Sequence, residues 1–275
     1  MLARAVRHWL LALQFFTRIP VTGRIAAWVG YTPAMLRASA AHFPGVGWVV
    51  GGCSAVVGAG ALAVLPAQTL SAVLAGVLAT VASVWLTGAF HEDGLADTAD
   101  ALGGLVPRER ALEIMKDSRI GSYGTAALVL ALLTKVAMLA LLAGQGGAML
   151  AAALLGGHVT SRWTPLWIIR TLSHVGDAPH AKSKPLADAI SAGALAVGTL
   201  WWLAAIALCA VWVPSASWLG GVLGAVLALG WMRRLLARRL QGFTGDTLGA
   251  TQQLSELGFY LGLLMVPGLA AHAGG

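Results

Sequence analysis

An all-α, polytopic membrane bundle is the fold class this sequence predicts, and three observations carry the prediction. The chain of 275 residues is 58% hydrophobic and only 11% charged, where a soluble domain is about a quarter charged; its mean hydropathy is +0.78. Apolar runs of roughly the 20 residues needed to cross a bilayer recur along it. The charges that lie between those runs fall in alternate connections. Lipid offers backbone amides no partner, so the spans must be helices unless they close a barrel, and no barrel-like alternation is present.

Taken in order, the first nineteen residues hold an apolar run (Trp9, Leu10, Leu11, Leu13, Phe15, Phe16) too short to span. Arg18 follows at once, with no small-residue cleavage site, which predicts an interfacial helix on the cytoplasmic surface and not a signal peptide. About seven transmembrane helices follow, near 45–66, 69–90, 124–143, 147–169, 189–213, 216–232 and 254–272. Arg4, Arg7, Arg18, Arg24 and Arg37 precede the first span. The connection after span two carries Arg108, Arg110, Lys116 and Arg119; the one after span four carries Arg170, Lys182 and Lys184; span six ends in Arg233, Arg234, Arg238 and Arg239. The connections around 66–68, 144–146 and 214–216 carry no charge. The positive-inside rule therefore places the N-terminus and the long loops in the cytoplasm and the tail, 270–275, outside.

The net charge of +7 is on this reading a matter of topology and of attraction to anionic lipid; it predicts a lipid bilayer as partner and no nucleic acid. Cys53 and Cys209 fall inside predicted spans and read as small apolar fillers, forming neither a disulfide nor a metal site. No linker or repeat divides the chain, so residues 1–275 are expected to form a single membrane-embedded domain. Gly47-x-x-x-Gly51 and Gly220-x-x-x-Gly224 would let helices approach closely; they serve packing within the chain or a homo-oligomer equally well.

The acidic residues are expected all to fall at one surface of the membrane and the outer loops are bare, so the active site is expected on the cytoplasmic face. Just beyond span two the chain reads His91-Glu92-Asp93-Gly94-Leu95-Ala96-Asp97-Thr98-Ala99-Asp100. Asp93, Asp97 and Asp100, at i, i+4 and i+7, share one stripe of a helix, and carboxylates that close repel unless a cation lies between them. Hard oxygen ligands without Cys or paired His favour Mg²⁺ or Mn²⁺ over zinc. The alternative is a solvated, negative helix end.

The segment Glu113 to Gly124 sets Lys116, Asp117 and Arg119 before span three. A metal facing such cations is the usual arrangement for a phosphate or pyrophosphate; the alternative is a juxtamembrane basic collar. Lys135 in span three and Arg162 in span four are ionisable groups inside the bilayer and candidates for substrate binding, unless they merely snorkel or pair structurally. Asp246, among glycines and threonines from Gly242 to Ala250, either belongs to a loop closing over a nucleotide or caps span seven. Gln252, Gln253 and Glu256 follow at helical spacing and could line the same cavity.

The stretch Phe90 to Asp100, together with Glu113-Ile114-Met115-Lys116-Asp117-Ser118-Arg119-Ile120-Gly121, Gly245-Asp246-Thr247-Leu248-Gly249-Ala250 and Phe16-Thr17-Arg18-Ile19-Pro20, resembles the cobalamin synthase family, the adenosylcobinamide-GDP ribazoletransferases. The resemblance implies residence in the bacterial cytoplasmic membrane and a Mg²⁺ requirement. It also implies a reaction in which α-ribazole or its 5′-phosphate attacks adenosylcobinamide-GDP and expels GMP. In that frame Asp93, Asp97 and Asp100 would hold Mg²⁺ on the pyrophosphate. Lys116, Arg119, Lys135, Arg162 and Asp246 would bind substrate, and Asp100 or Asp117 would accept the proton of the ribose hydroxyl. The stripe also resembles the metal motif of CDP-alcohol phosphotransferases, but departs from it: Asp97 stands where that motif carries Arg, and the carboxylate spacing differs. A phospholipid-type transferase is thus the weaker enzyme reading, and an anion transporter a weaker one still.

Overall fold

The computed structural model describes residues 2–176, 190–213 and 215–273, with side chains to residue 266. Lys182, Lys184 and the last two residues of the tail, used above to read sidedness, lie outside them. Among the described residues all regular structure is helical, apart from one isolated parallel bridge between His174 and Phe243.

Helix α1 (Leu2–Phe16) buries His8, Leu11, Ala12 and Leu13 along one face. At 1.5 Å per residue its length is about 22 Å, short of a bilayer core of about 30 Å. Two short helices follow, α2 (Gly23–Val29) and α3 (Pro33–Ser39), and α1 packs on α3 and on α4 (Phe43–Val64). Next come α5 (Thr69–Thr87), α6 (Phe90–Gly103), α7 (Arg108–Ile114), α8 (Ser122–Ala143), α9 (Gly147–Thr171), α10 (Ala192–Trp212), α11 (Ser217–Arg239) and α12 (Gly245–Ala273).

Each of the seven predicted spans corresponds to one long helix. Five of these helices are long and apolar enough to cross a membrane: the run ending in α4, then α5, α8, α10 and α11. Their outer faces expose Val64, Leu70, Trp85, Leu130, Leu133, Leu200 and Leu219, apolar rows suited to hydrocarbon and not to water. The other two, α9 and α12, have 25 and 29 residues and carry polar side chains into the interior. α9 is buried almost throughout from Met149 to Ile169, because it is enclosed by α4, α8, α10, α11 and α12. α12 packs on α6, α8, α9 and α11.

Both small-residue motifs are used inside the chain. A Cβ at Gly47 would lie 2.6 Å from the His158 carbonyl oxygen, and one at Gly258 would lie 2.6 Å from that of Gly224. Backbone therefore touches backbone along α4–α9 and α11–α12, and no side chain larger than hydrogen fits at these positions.

The Phe16–Pro20 block supports the start of α6. Between α5 and α6, Gly88 (φ 68°) and Ala89 (φ 60°) both take left-handed backbone, which is uncommon for a residue with a Cβ. The Arg18 amide donates to the Leu86 carbonyl at 2.7 Å, and a Cβ on Gly88 would come within 2.9 Å of Arg18 Nε. At the other end of α6, Arg239 donates to the carbonyls of Leu102 (3.2 Å) and Gly104 (2.8 Å), a cation on the orphan carbonyls of a helix C-terminus.

Two expectations are corrected. α12 begins at Gly245, nine residues ahead of the predicted span, so the glycine-rich stretch is helix and not a covering loop. The reason is local: the Thr247 amide donates to Thr244 Oγ1 at 3.3 Å and the Thr244 amide to Thr247 Oγ1 at 2.9 Å, a reciprocal cap that opens the helix. Nor are the acids all at one surface, for Glu92 and Glu256 are buried in the bundle.

Candidate active site

Asp93, Asp97 and Asp100 all lie on α6, as the spacing predicts; Asp93 is exposed and the other two are half-buried. Gly94, between them, lets α12 come close: a Cβ there would meet the Asp246 carbonyl oxygen at 2.6 Å. Asp246 thus enters the site from the facing helix, half-buried in the first turn of α12, where a helix dipole favours a negative charge. Burial first, then the charges of Asp93, Asp246 and Asp100, push the Asp97 carboxyl up to about 7. Among the described residues no lysine or arginine pairs with Asp93, Asp97 or Asp246. This is an uncompensated acidic rim shared by two helices.

Asp100 is engaged differently. Its Oδ2 accepts from the Gly121 amide at 2.7 Å and its Oδ1 from the Gly124 amide at 2.8 Å. It caps the N-terminus of α8 and ties the segment 117–121 to α6. A Cβ at Gly124 would also lie 2.9 Å from the Ala96 carbonyl, so the two glycines before span three serve this close approach. Asp117 is bound to Arg119 through both carboxylate oxygens, with Nη2 to Oδ2 at 2.6 Å and Nε to Oδ1 at 2.9 Å. That contact holds its carboxyl down at about 2, which makes it a weak proton acceptor. Lys116 and Arg119 are exposed on the same segment.

Lys135 does not reach the rim. It is 2% exposed, and its Nζ lies 2.7 Å from Glu256 Oε1. Tyr260 donates to the same oxygen at 3.0 Å, Gln252 donates to Oε2 at 2.9 Å, and His158 Nδ1 lies 3.5 Å from Oε2. Arg162 donates to the His158 carbonyl at 3.0 Å, and Gln253 links Gln252 to Glu92. Counted at 1.5 Å per residue from the helix ends nearest the rim, this cluster lies roughly 15–20 Å deep. Sequence reasoning singled out Lys135 but did not assign its partner. The signal was present: a carboxylate in a span, one turn beyond a pair of glutamines.

A cleft of about 590 Å³, including its open mouth, adjoins the rim. One wall is a cluster of phenylalanines: Phe16 packs edge-on against Phe43 (4.5 Å between centroids), Phe15 (4.8 Å) and Phe90 (5.5 Å). The first turns of α12 contribute Gly245, Leu248 and Gly249, and Arg162 and Gln252 reach it from the interior.

Among the described residues no three acidic, histidine or cysteine side chains enclose a metal position. The donors nevertheless suit Mg²⁺, which holds few protein carboxylates and completes its shell with water and substrate phosphates. Asp93 and Asp97, mutually repelling and unpaired, are such donors.

An all-helical bundle with apolar, bilayer-length helices, an acidic rim and a basic segment tied to the same helix defines a class: polytopic membrane proteins with a charged site at one end of the bundle. The profile of the family described as cobalamin-5-phosphate synthase matches residues 8–264, and the chain belongs to that family. An adenosylcobinamide-GDP ribazoletransferase of Polaromonas naphthalenivorans is 56% identical over 270 residues, covering 94% of this chain and 97% of the relative. The protein of the same description from Albidiferax ferrireducens is 55% identical over 276 residues (95% and 99%), and that from Vibrio cholerae is 41% identical over 257 residues (93% and 92%). No solved structure matches the chain.

Proposed function

We propose that this protein is an adenosylcobinamide-GDP ribazoletransferase acting at the cytoplasmic surface of the bacterial inner membrane, with its N-terminus in the cytoplasm. Family membership supports the reaction; the observation that supports its place is the unpaired rim of Asp93, Asp97 and Asp246, where burial and neighbouring charge push Asp97 up to about 7. The arginines confined to one set of connections support the sidedness.

Asp93 and Asp97 would hold Mg²⁺. When bound, the ion neutralises the pyrophosphate oxygens and favours loss of GMP. Lys116 and Arg119, on the segment that Asp100 ties to α6, bind the diphosphate; Arg119 exchanges Asp117 for a phosphate oxygen as it does so. A ribose hydroxyl of α-ribazole attacks the phosphorus that carries the cobinamide. Its oxygen forms the new P–O bond, the bond to the bridging oxygen breaks, and GMP leaves with that electron pair. Asp246, facing the α6 carboxylates, accepts the hydroxyl proton. Asp100 acts as a strut, and Lys135 holds the bundle together through Glu256.

The test is purified, detergent-solubilised protein given adenosylcobinamide-GDP and α-ribazole or its phosphate, with and without Mg²⁺, following GMP and corrinoid product. Metal-dependent formation of both supports the reading. Folded protein that releases neither refutes it, and consumption of CDP-activated lipid in their place would install the phospholipid-type reading.

A further inference from the structure

The cleft beside the rim has a composition that selects among the groups a two-substrate transfer must seat. Its walls are mostly carbon: four phenylalanine rings, Pro165 and Leu248. Flat aromatic faces of this kind take another flat ring by stacking or edge contact. At its inner end stands Arg162, 4% exposed, whose Nε has no hydrogen-bond partner among the described residues. A buried N–H left unmatched is unfavourable and marks a place for an acceptor atom.

We propose that this cleft is the subsite for the heterocyclic base of the acceptor, a carbon-rich, benzimidazole-type ring carrying an acceptor nitrogen in its plane. The inference rests on the transferase reading above. Guanine, the other base in the reaction, suits the cleft less well: it carries N–H and carbonyl groups along most of its edge, whereas apart from His91, Arg162 and Gln252 the side chains lining the cleft are carbon. A ring lying between the phenylalanines and α12 has its ribose beside Gly245, hence next to Asp246 and the α6 carboxylates. The attacking hydroxyl is thereby brought to the rim, while the guanosine half is left to the 116–119 segment. The aromatic cluster is then a specificity element, reading the flatness and apolarity of the base.

Leu248→Trp, which fills the cleft, is the direct test, with Phe90→Leu at the half-exposed mouth as the milder variant. KM for α-ribazole should rise about tenfold or more in the first and about threefold in the second. KM for adenosylcobinamide-GDP and the Mg²⁺ requirement should stay within about twofold, since neither residue carries a group that binds the diphosphate or the metal. Equilibrium dialysis of metal-free protein with α-ribazole alone should show binding to wild type and its loss in Leu248→Trp. Dialysis separates this inference from the function it rests on. Binding by wild type without any turnover would sink the transferase reading and leave the subsite. Turnover by Leu248→Trp with an unchanged acceptor KM would sink the subsite and leave the transferase. A rise confined to the KM of adenosylcobinamide-GDP, or a phospholipid that co-purifies in the cleft and is not displaced by α-ribazole, would overturn the subsite as well. Should Leu248→Trp fail to fold, Phe90→Leu decides by the same criteria.

Discussion

Two charged regions of this protein stand roughly one half-bilayer apart and are built on opposite rules. The interior pair of Lys135 and Glu256 is nearly fully buried, and Glu256 accepts from Lys135, Gln252 and Tyr260. The rim of Asp93, Asp97 and Asp246 meets water and pairs with no cation among the described residues. A charge placed deep in a bundle persists only when its partners are built in. At the surface, carboxylates can be left waiting for a ligand. Satisfied charge here marks structure; frustrated charge marks the place where something binds.

Breaking the interior should have the largest effect. Glu256→Ala leaves Lys135 buried without a carboxylate and should lower stability by about 3–5 kcal/mol, read as loss of monodisperse protein in detergent. Lys135→Met combined with Glu256→Gln should recover most of that loss. Recovery would show a structural pair, whereas a well-folded double variant without activity would give the pair a part in the chemistry.

At the rim the effect moves from stability to rate. Asp93→Asn or Asp97→Asn should lower kcat by about 10²–10³ with the fold kept. Near wild-type turnover in either would remove Mg²⁺ from those residues. Asp100→Asn tests the strut: the Mg²⁺ concentration for half-maximal rate should stay within about twofold, while thermal stability drops by about 1 kcal/mol as one of its two amide partners is lost.

The pH response sharpens the contrast further. Asp97 has its carboxyl raised from 3.8 to about 7 on folding. Between those values the folded state binds more protons than the unfolded one, so the stability of metal-free protein falls as pH rises through about 4 to about 7. Adding Mg²⁺ at pH 8 should restore it, and Asp97→Asn should flatten the profile; a profile unchanged by that substitution would refute the coupling. The smallest effect on stability belongs to the exposed Asp117–Arg119 pair, where Arg119→Ala should leave thermal stability almost unchanged while raising KM for adenosylcobinamide-GDP.

The same division explains what could be read from the sequence. Seven long helices, the α6 stripe and the two glycine seams follow from composition and period, which are local properties. The start of α12 was missed because Thr244 and Thr247 form their cap only with each other, amid residues that otherwise suggest a loop. The roles of Asp100 and Lys135 depend on which distant groups they meet, Gly121 and Gly124 in one case and Glu256 in the other. Residue type announces that a buried lysine needs a partner; only the fold says which one.

The position of α12 in the chain bears on how the molecule is made. Asp246 and Glu256 both reside on α12, which leaves the ribosome after the helices that carry Lys135 and Arg162. Until it inserts, Lys135 and Arg162 stand in the membrane without the carboxylate that balances them, an arrangement lipid tolerates poorly. A chain that stops short of α12 should therefore be conspicuously unstable. The proposed site and the relief of that instability would be completed together, by the docking of one helix along the glycines of α11.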